Sequence, residues 1–449
     1  MASTAIDSTL LGNLVGTEAM RTVFSDRQRA QRWLDVEAAL AKVEARLGII
    51  PQAAGDEIAR NCRLERIDMA ALAAQTERAG TPIVGLVRQL TALCGEPHGR
   101  YCHWGATTQD IIDTATALQM REALALIDAE LAAIAAALAA LARRYRDTPM
   151  AGRSYLQHAA PITFGYKMAC LLSAVERHRA RLVELRPRVL AGQFGGAVGT
   201  LASLAGRGLE VRAALMRELA LSEPDVAWHT QRDRIAEIGC FLGLVSGTLV
   251  KLATDVKLMM QTEVGEVAEP YAAGRGASST MAQKRNPVAS VYIEACATVV
   301  SQHAALLLGA MAADHERASG AWQVEWIVLP EAFVLTAGAL AHSRAMLEGL
   351  QVDVERMREN LDLTHGLIAA EAVTTALAPH LGRERAHELV ADLCRRATEQ
   401  KRALLDLLAA TPEITSHFDR AALAKLCDPA SYLGLAGAMV DRVLAGRRG

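Results

Sequence analysis

Apolar residues recur at helical spacing along most of this chain. Ser25 and Asp26 precede residues 27–47, where Trp33, Val36, Leu40 and Val43 share one face, and Gly48 follows. A capping hydroxyl, a helical period and a closing glycine predict an amphipathic helix. Pro51 opens a further short element, and Gly80-Thr-Pro82 and Gly95-Glu-Pro97 break the chain again. Residues 111–148 contain neither glycine nor proline, which predicts a helix of roughly 55 Å at about 1.5 Å per residue. Residues 162–190, 234–267 and 288–319 read as three more long helical runs. Past Val352 the segments shorten, with punctuation at Gly366, Pro379, Gly382, Pro412 and Pro429. The pattern predicts an all-α protein with a helical domain over 1–110, a long-helix bundle over 111–351 and a small helical domain over 352–449. The first hundred residues have room for a few short strands.

Composition sharpens this picture. The chain is 51% hydrophobic but only 4% aromatic, so alanine and leucine carry the apolar content and favour helix. Long helices that are apolar nearly all round leave faces for other copies of the chain to cover, which predicts an oligomer. The net charge of -2 gives no field for nucleic acid or an anionic membrane. The first ten residues, MASTAIDSTL, have no basic start and no apolar core, so no secretory signal is expected. Charges interrupt the alanine-rich runs, which argues against membrane spans. Eight scattered cysteines without a CxxC pair read as free thiols in a reducing cytoplasm.

Three polar runs interrupt the apolar architecture. The first, CHWGATTQD over 102–110, directly precedes the 111–148 helix. Thr107, Thr108 and Gln109 offer hydroxyls and an amide beside a helix N-terminus, which favours an anion; plain N-capping by Thr108 or Asp110 is the alternative. The second, GRSYLQH over 152–158, stands at the start of another predicted helix. His158 there has the near-neutral pKa of a general acid or base, or is a hydrogen-bonded structural histidine. The third, GRGASSTMAQKRNP over 274–287, gathers glycines, serines, a lysine and an asparagine. Such a loop can surround a carboxylate with N–H groups and a cation, and can make a serine alkoxide accessible. A plain surface connection is its bland reading.

The third run resembles the serine loop of the fumarase/aspartase superfamily, whose usual form is GSSxMPxKxNP. HWGATTQDIIDT (103–114) and GRSYLQH (152–158) resemble that family's first two signature regions. GGAVGT (195–200), QRDR (231–234) and QTEVGEV (261–267) extend the likeness over essentially the whole chain. Within the superfamily the chain looks closest to the bacterial 3-carboxy-cis,cis-muconate cycloisomerases, through LQH (156–158), QFGG (193–196) and GAWQVEW (320–326). The adenylosuccinate lyases come next.

The resemblance implies a three-domain helical fold with a long central bundle and a homotetramer whose sites each draw on three subunits. It implies a small di- or tricarboxylate substrate and neither a metal nor an organic cofactor. Ser278 matches the catalytic serine, with Ser279 and Met281 beside it in the substrate-binding loop. Lys284 and Asn286 match substrate-carboxylate binders, and Thr107, Thr108 and Gln109 the binders of the first region. His158 matches the histidine that protonates the leaving group in the amine lyases, and His103 another substrate contact. Arg21 and Arg232 are candidate anion binders. Three positions depart from the family pattern. Ala282 replaces the usual loop proline, Tyr155-Leu156 stands where many lyases have His-Gly, and GTPIV (80–84) lacks the histidine that holds a nucleotide phosphate in adenylosuccinate lyases. The implied reaction is interconversion of 3-carboxy-cis,cis-muconate and a carboxymuconolactone. A C–N lyase releasing fumarate from an N-substituted aspartate is the alternative. A non-catalytic helical protein would have no use for serine, lysine and asparagine together in one loop.

Overall fold

The computed structural model describes residues 4–446 apart from 271–275, 277–279 and 282. Ser278, Ser279 and Ala282 therefore lie outside the described residues.

The protein is all-α in character. Five long helices dominate: Thr108–Arg144, Phe164–Val189, Asp233–Met259, Val288–Gly309 and Ala321–Glu348. The 108–144 helix starts where a polar loop meets the uninterrupted apolar run and ends on Arg143 and Arg144, cations that suit a helix C-terminus. Asp26–Arg46 forms with Ser25 as its cap, the Ser25 hydroxyl accepting from the Gln28 N–H. Pro51 precedes the Gln52–Asn61 helix.

Two predicted boundaries are corrected. The run expected over 234–267 stops at Met259, and the one over 288–319 stops at Gly309, with a separate helix from Ala321. The intervening polar residues 310–320 carry the break: Asp314 accepts from the Ser319 N–H and hydroxyl, folding the chain back on itself. Four of the long helices also hold an 18-residue window with mean hydropathy between 1.4 and 2.1 and at most two charged residues. By length and composition alone they match a membrane span, which corrects the expectation that charges interrupt them too often.

The chain groups into two compact units, each assembled from three segments. One takes residues 1–131, 178–250 and 292–342; the other takes 132–177, 251–291 and 343–449. All five long helices begin in one unit and end in the other. In the first unit the core is built on Leu34, Leu40, Ile58, Leu86, Ile111 and Leu118. In the second, Val373, Leu377, Val390, Leu393, Leu404 and Leu408 close a cluster of the shorter C-terminal helices.

The run 152–158, expected at the entry to the helix predicted from 162, forms a hairpin that leads into that helix. β1 (Pro149–Ser154) pairs antiparallel with β2 (Gln157–Thr163), and the next helix begins only at Phe164. Tyr155 and Leu156 form the two-residue tip at φ +50° and +63°. Two positive φ values match the turn twist that right-handed strands require. A Cβ is strained in that region, at a cost of roughly 1–2 kcal/mol per residue, and side chains 98% and 75% exposed gain no packing in return. Replacing the tip by Asn-Gly (Tyr155→Asn with Leu156→Gly) should stabilise the protein by about 1 kcal/mol after glycine's own entropic cost, read as a rise in the urea midpoint. A lower midpoint would show that the turn is not strained.

Candidate active site

In the first unit, the loop 102–107 is shaped by two left-handed residues, His103 at φ +60° and Gly105 at φ +68°. A Cβ on Gly105 would come within 2.8 Å of the Leu204 side chain, so glycine alone lets the loop turn here. Asp110, 1% exposed, then fastens that loop to two others. Its Oδ2 accepts from the Thr107 and Gly196 N–H groups at 3.0 and 2.9 Å. Its Oδ1 accepts from the Gly195 N–H at 3.0 Å and meets His229 Nε2 at 2.7 Å.

One turn on, Asp113 lies in a second buried cluster. Arg232 donates to Asp113 at 2.8 and 3.0 Å and to Glu325 Oε1 at 2.8 Å, and Trp322 Nε1 donates to Asp113 at 3.0 Å. Burial alone would lower the Arg232 pKa, but the two carboxylates hold it above the ordinary value. Arg232 is spent within the protein and offers no charge to a ligand. Arg21 donates to two neutral acceptors, the Gly12 carbonyl at 2.7 Å and Asn13 Oδ1 at 2.6 Å, so these bonds hold its guanidinium without cancelling its charge. Gln109 is closed on both sides. Its Nε2 donates to the His229 carbonyl and Asp113, and its Oε1 accepts from Arg317 at 2.8 Å.

Three polar side chains of the predicted set stay open in this unit. The hydroxyls of Thr107 and Thr108 have no partner among the described residues and flank the N-terminus of a 37-residue helix. His103 meets Glu37 Oε1 through Nδ1 at 2.6 Å. Burial would lower its pKa, but the charge and hydrogen bond of Glu37, with Asp110 beyond, raise it above that of free imidazole. Sequence reasoning missed Arg317. Its guanidinium donates only to neutral acceptors, Gln109 Oε1 and the carbonyls of Gly196 and Ala197, so its charge is not cancelled by direct pairing. A cavity of about 460 Å³ in this unit is walled by Phe24, Trp33, Trp322 and Trp326. His103, Thr107 and Thr108 do not line this cavity.

In the second unit, His158 sits on β2 opposite Arg153 of β1. Arg153 makes a two-pronged pair with the fully buried Glu266 at 2.7 and 2.9 Å, and Asn360 donates to the same carboxylate at 2.9 Å. His158 Nδ1 is buried without a hydrogen-bond partner among the described residues. Burial first, and Arg153 second, lower the His158 pKa against the pull of Glu266, which keeps the imidazole neutral near pH 7.

The serine loop is described in part. Asn286 anchors Gly276: its backbone N–H and its side-chain amide both donate to the Gly276 carbonyl, at 3.1 and 3.0 Å. A Cβ on Gly276, at φ +69°, would meet the Asn286 carbonyl at 2.7 Å. Lys284 and Met281 are exposed. Just beyond the loop, the buried Glu269 caps the next helix, accepting from the Ala289 and Ser290 N–H groups at 2.9 and 2.8 Å.

Residues 14–301 match a family described as Lyase, and residues 366–443 match the adenylosuccinate lyase C-terminus. The chain belongs to the fumarase/aspartase superfamily of lyases. It is 52% identical to a 3-carboxy-cis,cis-muconate cycloisomerase of Pseudomonas aeruginosa, over 95% of this chain and 94% of that protein. It is 51% identical to trans-aconitate decarboxylase 1 of Mycosarcoma maydis, over 97% of this chain and 88% of that one. The crystal structure of the 3-carboxy-cis,cis-muconate lactonizing enzyme of Pseudomonas putida superposes with a TM-score of 0.92 at 45% identity, covering 98% and 99% of the two chains.

For this lyase the division of labour around the 108–144 helix is clear. Asp110, Asp113, Gln109 and Arg232 hold the frame, while His103 Nε2 and the Thr107 and Thr108 hydroxyls have no partner among the described residues. The only signal for the frame in the sequence is the spacing of Asp110 and Asp113 on one helical face. Asp110→Asn would turn an NH₂ group toward two buried N–H donors. It should cost about 3 kcal/mol, measured by urea unfolding; a loss below about 1 kcal/mol would mean the carboxylate is not what joins these loops.

Proposed function

We propose that this lyase is a cofactor-independent cycloisomerase of the cytoplasm that interconverts 3-carboxy-cis,cis-muconate and a carboxymuconolactone. The observation that carries the reading is the surplus of open donors at one helix N-terminus, His103, Thr107 and Thr108, in a chain 52% identical to an enzyme of that name. That surplus suits a substrate with several carboxylates.

In the lactonising direction a substrate carboxylate oxygen attacks an alkene carbon of the same molecule. A C–O bond forms, and the alkene electron pair moves onto the neighbouring carbon and its carboxylate, giving an aci-carboxylate. Lys284, Asn286 and loop N–H groups stabilise that charge. Ser278 then delivers a proton to carbon; in reverse, its alkoxide removes it. Such a weak base needs its anion stabilised and water excluded, so the loop closes before proton transfer. The nucleophile is already tethered to the electrophile, so folding the substrate into attack geometry supplies much of the acceleration. The neutral His158 orients the attacking carboxylate or adjusts its proton inventory.

The assembly we propose is a homotetramer in which three protomers contribute the three polar runs to each site. The Val288–Gly309 helix supports this, because it exposes Val291, Val299, Leu306 and Leu308 on a single protomer, a surface that association would cover. The decarboxylase relative favours a second reading, loss of CO₂ from a tricarboxylate through the same kind of carboxylate-stabilised carbanion. Cleavage of an N-substituted aspartate to fumarate is the third.

A panel of 3-carboxymuconate, trans-aconitate and N-substituted aspartates separates the three, with ultraviolet absorbance and product NMR as readouts. Lactone from the first alone is expected; CO₂ or fumarate as the main product would overturn the assignment. Ser278→Ala should lower kcat by at least about a hundredfold with little change in KM, and a near-normal kcat would remove the proton-transfer role. Lys284→Met should raise KM and lower kcat together. Because the folded His158 pKa lies below that of free imidazole, its neutral form persists to lower pH. Its contribution to stability is complete above about pH 6.5 and is lost as pH falls through the folded value. The acid limb of kcat/KM should therefore lie below about pH 6.5; a limb above that value would mean His158 is not the titrating group.

A further inference from the structure

Glu37 and Glu44 are both 1% exposed on the Asp26–Arg46 helix, spaced so that they lie near one face. Neither carboxyl is used by the chemistry described above, and neither is fully satisfied: Glu37 Oε2 and Glu44 Oε1 are buried with no hydrogen-bond partner among the described residues. A buried carboxyl left half-paired is costly and calls for an account. Glu37 has one partner, His103 Nδ1, across 66 residues of chain. The histidine that meets it stands in left-handed backbone, so the loop is bent to bring the ring to Glu37. Nδ1 is thereby occupied, and the other ring nitrogen, Nε2, has no partner among the described residues.

We propose that Glu37 is a positioning residue for this enzyme: its buried carboxylate fixes the His103 ring and keeps it an imidazolium whose Nε2–H is presented to a substrate carboxylate. This rests on the reading above that His103 faces the substrate. The groups around the pair are consistent with a single net ion pair. Burial first, and the charge of Glu37 second, push the Glu44 carboxyl up to about 9, so Glu44 is a neutral acid and adds no second anion. The Cys62 and Cys102 thiols near Glu37 are pushed up, Cys62 mainly by burial and Cys102 mainly by its bond to Cys94, and they stay uncharged. Asp110, the remaining carboxylate acting on His103, is shared among Thr107, Gly195, Gly196 and His229. Glu37 is thus the anion paired directly with His103. An imidazolium held this way acts as a fixed donor for an anion, and a fixed donor needs no reorganisation when the substrate arrives.

The test reads His103 directly. Diethyl pyrocarbonate acylates neutral imidazole, so the pH profile of labelling at the His103 peptide, followed by mass spectrometry on the full-length protein, reports its protonation without any substrate. In the wild type the midpoint should lie above the value of about 6.5 for free imidazole. Glu37→Gln should shift it down by about one unit or more, labelling His103 roughly tenfold faster near neutral pH. The same variant should raise KM for the turned-over carboxylate roughly tenfold with a smaller change in kcat. Glu44→Gln replaces a neutral acid by a neutral amide and should follow the wild type. The proposal is overturned by a wild-type midpoint at or below that of free imidazole, by an unmoved midpoint in Glu37→Gln, or by Glu44→Gln shifting as far as Glu37→Gln. The wild-type midpoint decides even if Glu37→Gln does not fold. Wild-type enzyme inert toward the whole substrate panel would overturn the reaction assignment and leave the dyad to be judged by labelling.

Discussion

Four hydrogen bonds converge on the carboxylate of Asp110, and the geometry of the donor-rich loop depends on them. Three come from backbone N–H groups on two separate loops and one from His229. A carboxylate can accept this many donors where a neutral side chain cannot. It holds residues 103–108 in one conformation against the left-handed strain at His103, and strain of that kind persists only where the surroundings over-determine it. The result is a loop that displays a histidine and two threonines while its own backbone is committed elsewhere.

The charged and donor groups divide into two sets. Arg232 is matched by Asp113 and Glu325, Glu266 by Arg153, and Glu269 by the first N–H groups of a helix. These satisfied sets hold segments together and have nothing left for a ligand. Other groups keep donors free of a carboxylate: Arg317 and Arg21 against neutral acceptors, His103 at Nε2, the two threonine hydroxyls, and Lys284 exposed on its loop. In a protein with a net charge of -2, such local donors give a field of the sign that attracts an anion.

Much of this was legible in the sequence, for identifiable reasons. Long uninterrupted Ala/Leu runs dictate helices through propensity and period alone, and Ser25 and Pro51 act as start signals whatever surrounds them. The His158 segment was misread because GRSYLQH has no alternating apolar pattern; the hairpin depends on pairing with Pro149–Ser154 and on the unusual backbone at Tyr155 and Leu156, which are tertiary facts. The helix break before Ala321 was missed because residues 310–320 contain a single glycine just before it and no proline. Gln109 and Arg232 resemble ligand binders in motif, yet their distant partners lie 93 to 208 residues away in the chain: His229 and Arg317 for Gln109, Asp113 and Glu325 for Arg232. No local spacing reveals such closure. The same holds for Glu37, an unremarkable residue on an amphipathic helix until the fold sets His103 against it.

The continuity of the Thr108–Arg144 helix sets a limit on how this gene can change length. Asp110 and Asp113 lie near its start, and Ile134 and Leu138 are buried near its end. Each α-helical residue turns the chain by about 100°. A single codon gained or lost between them would rotate every later side chain off its buried face, so an indel there is far harder to accommodate than a substitution. Length variation among natural versions of this protein should concentrate in the connections between helices, while the helical stretches keep their residue count.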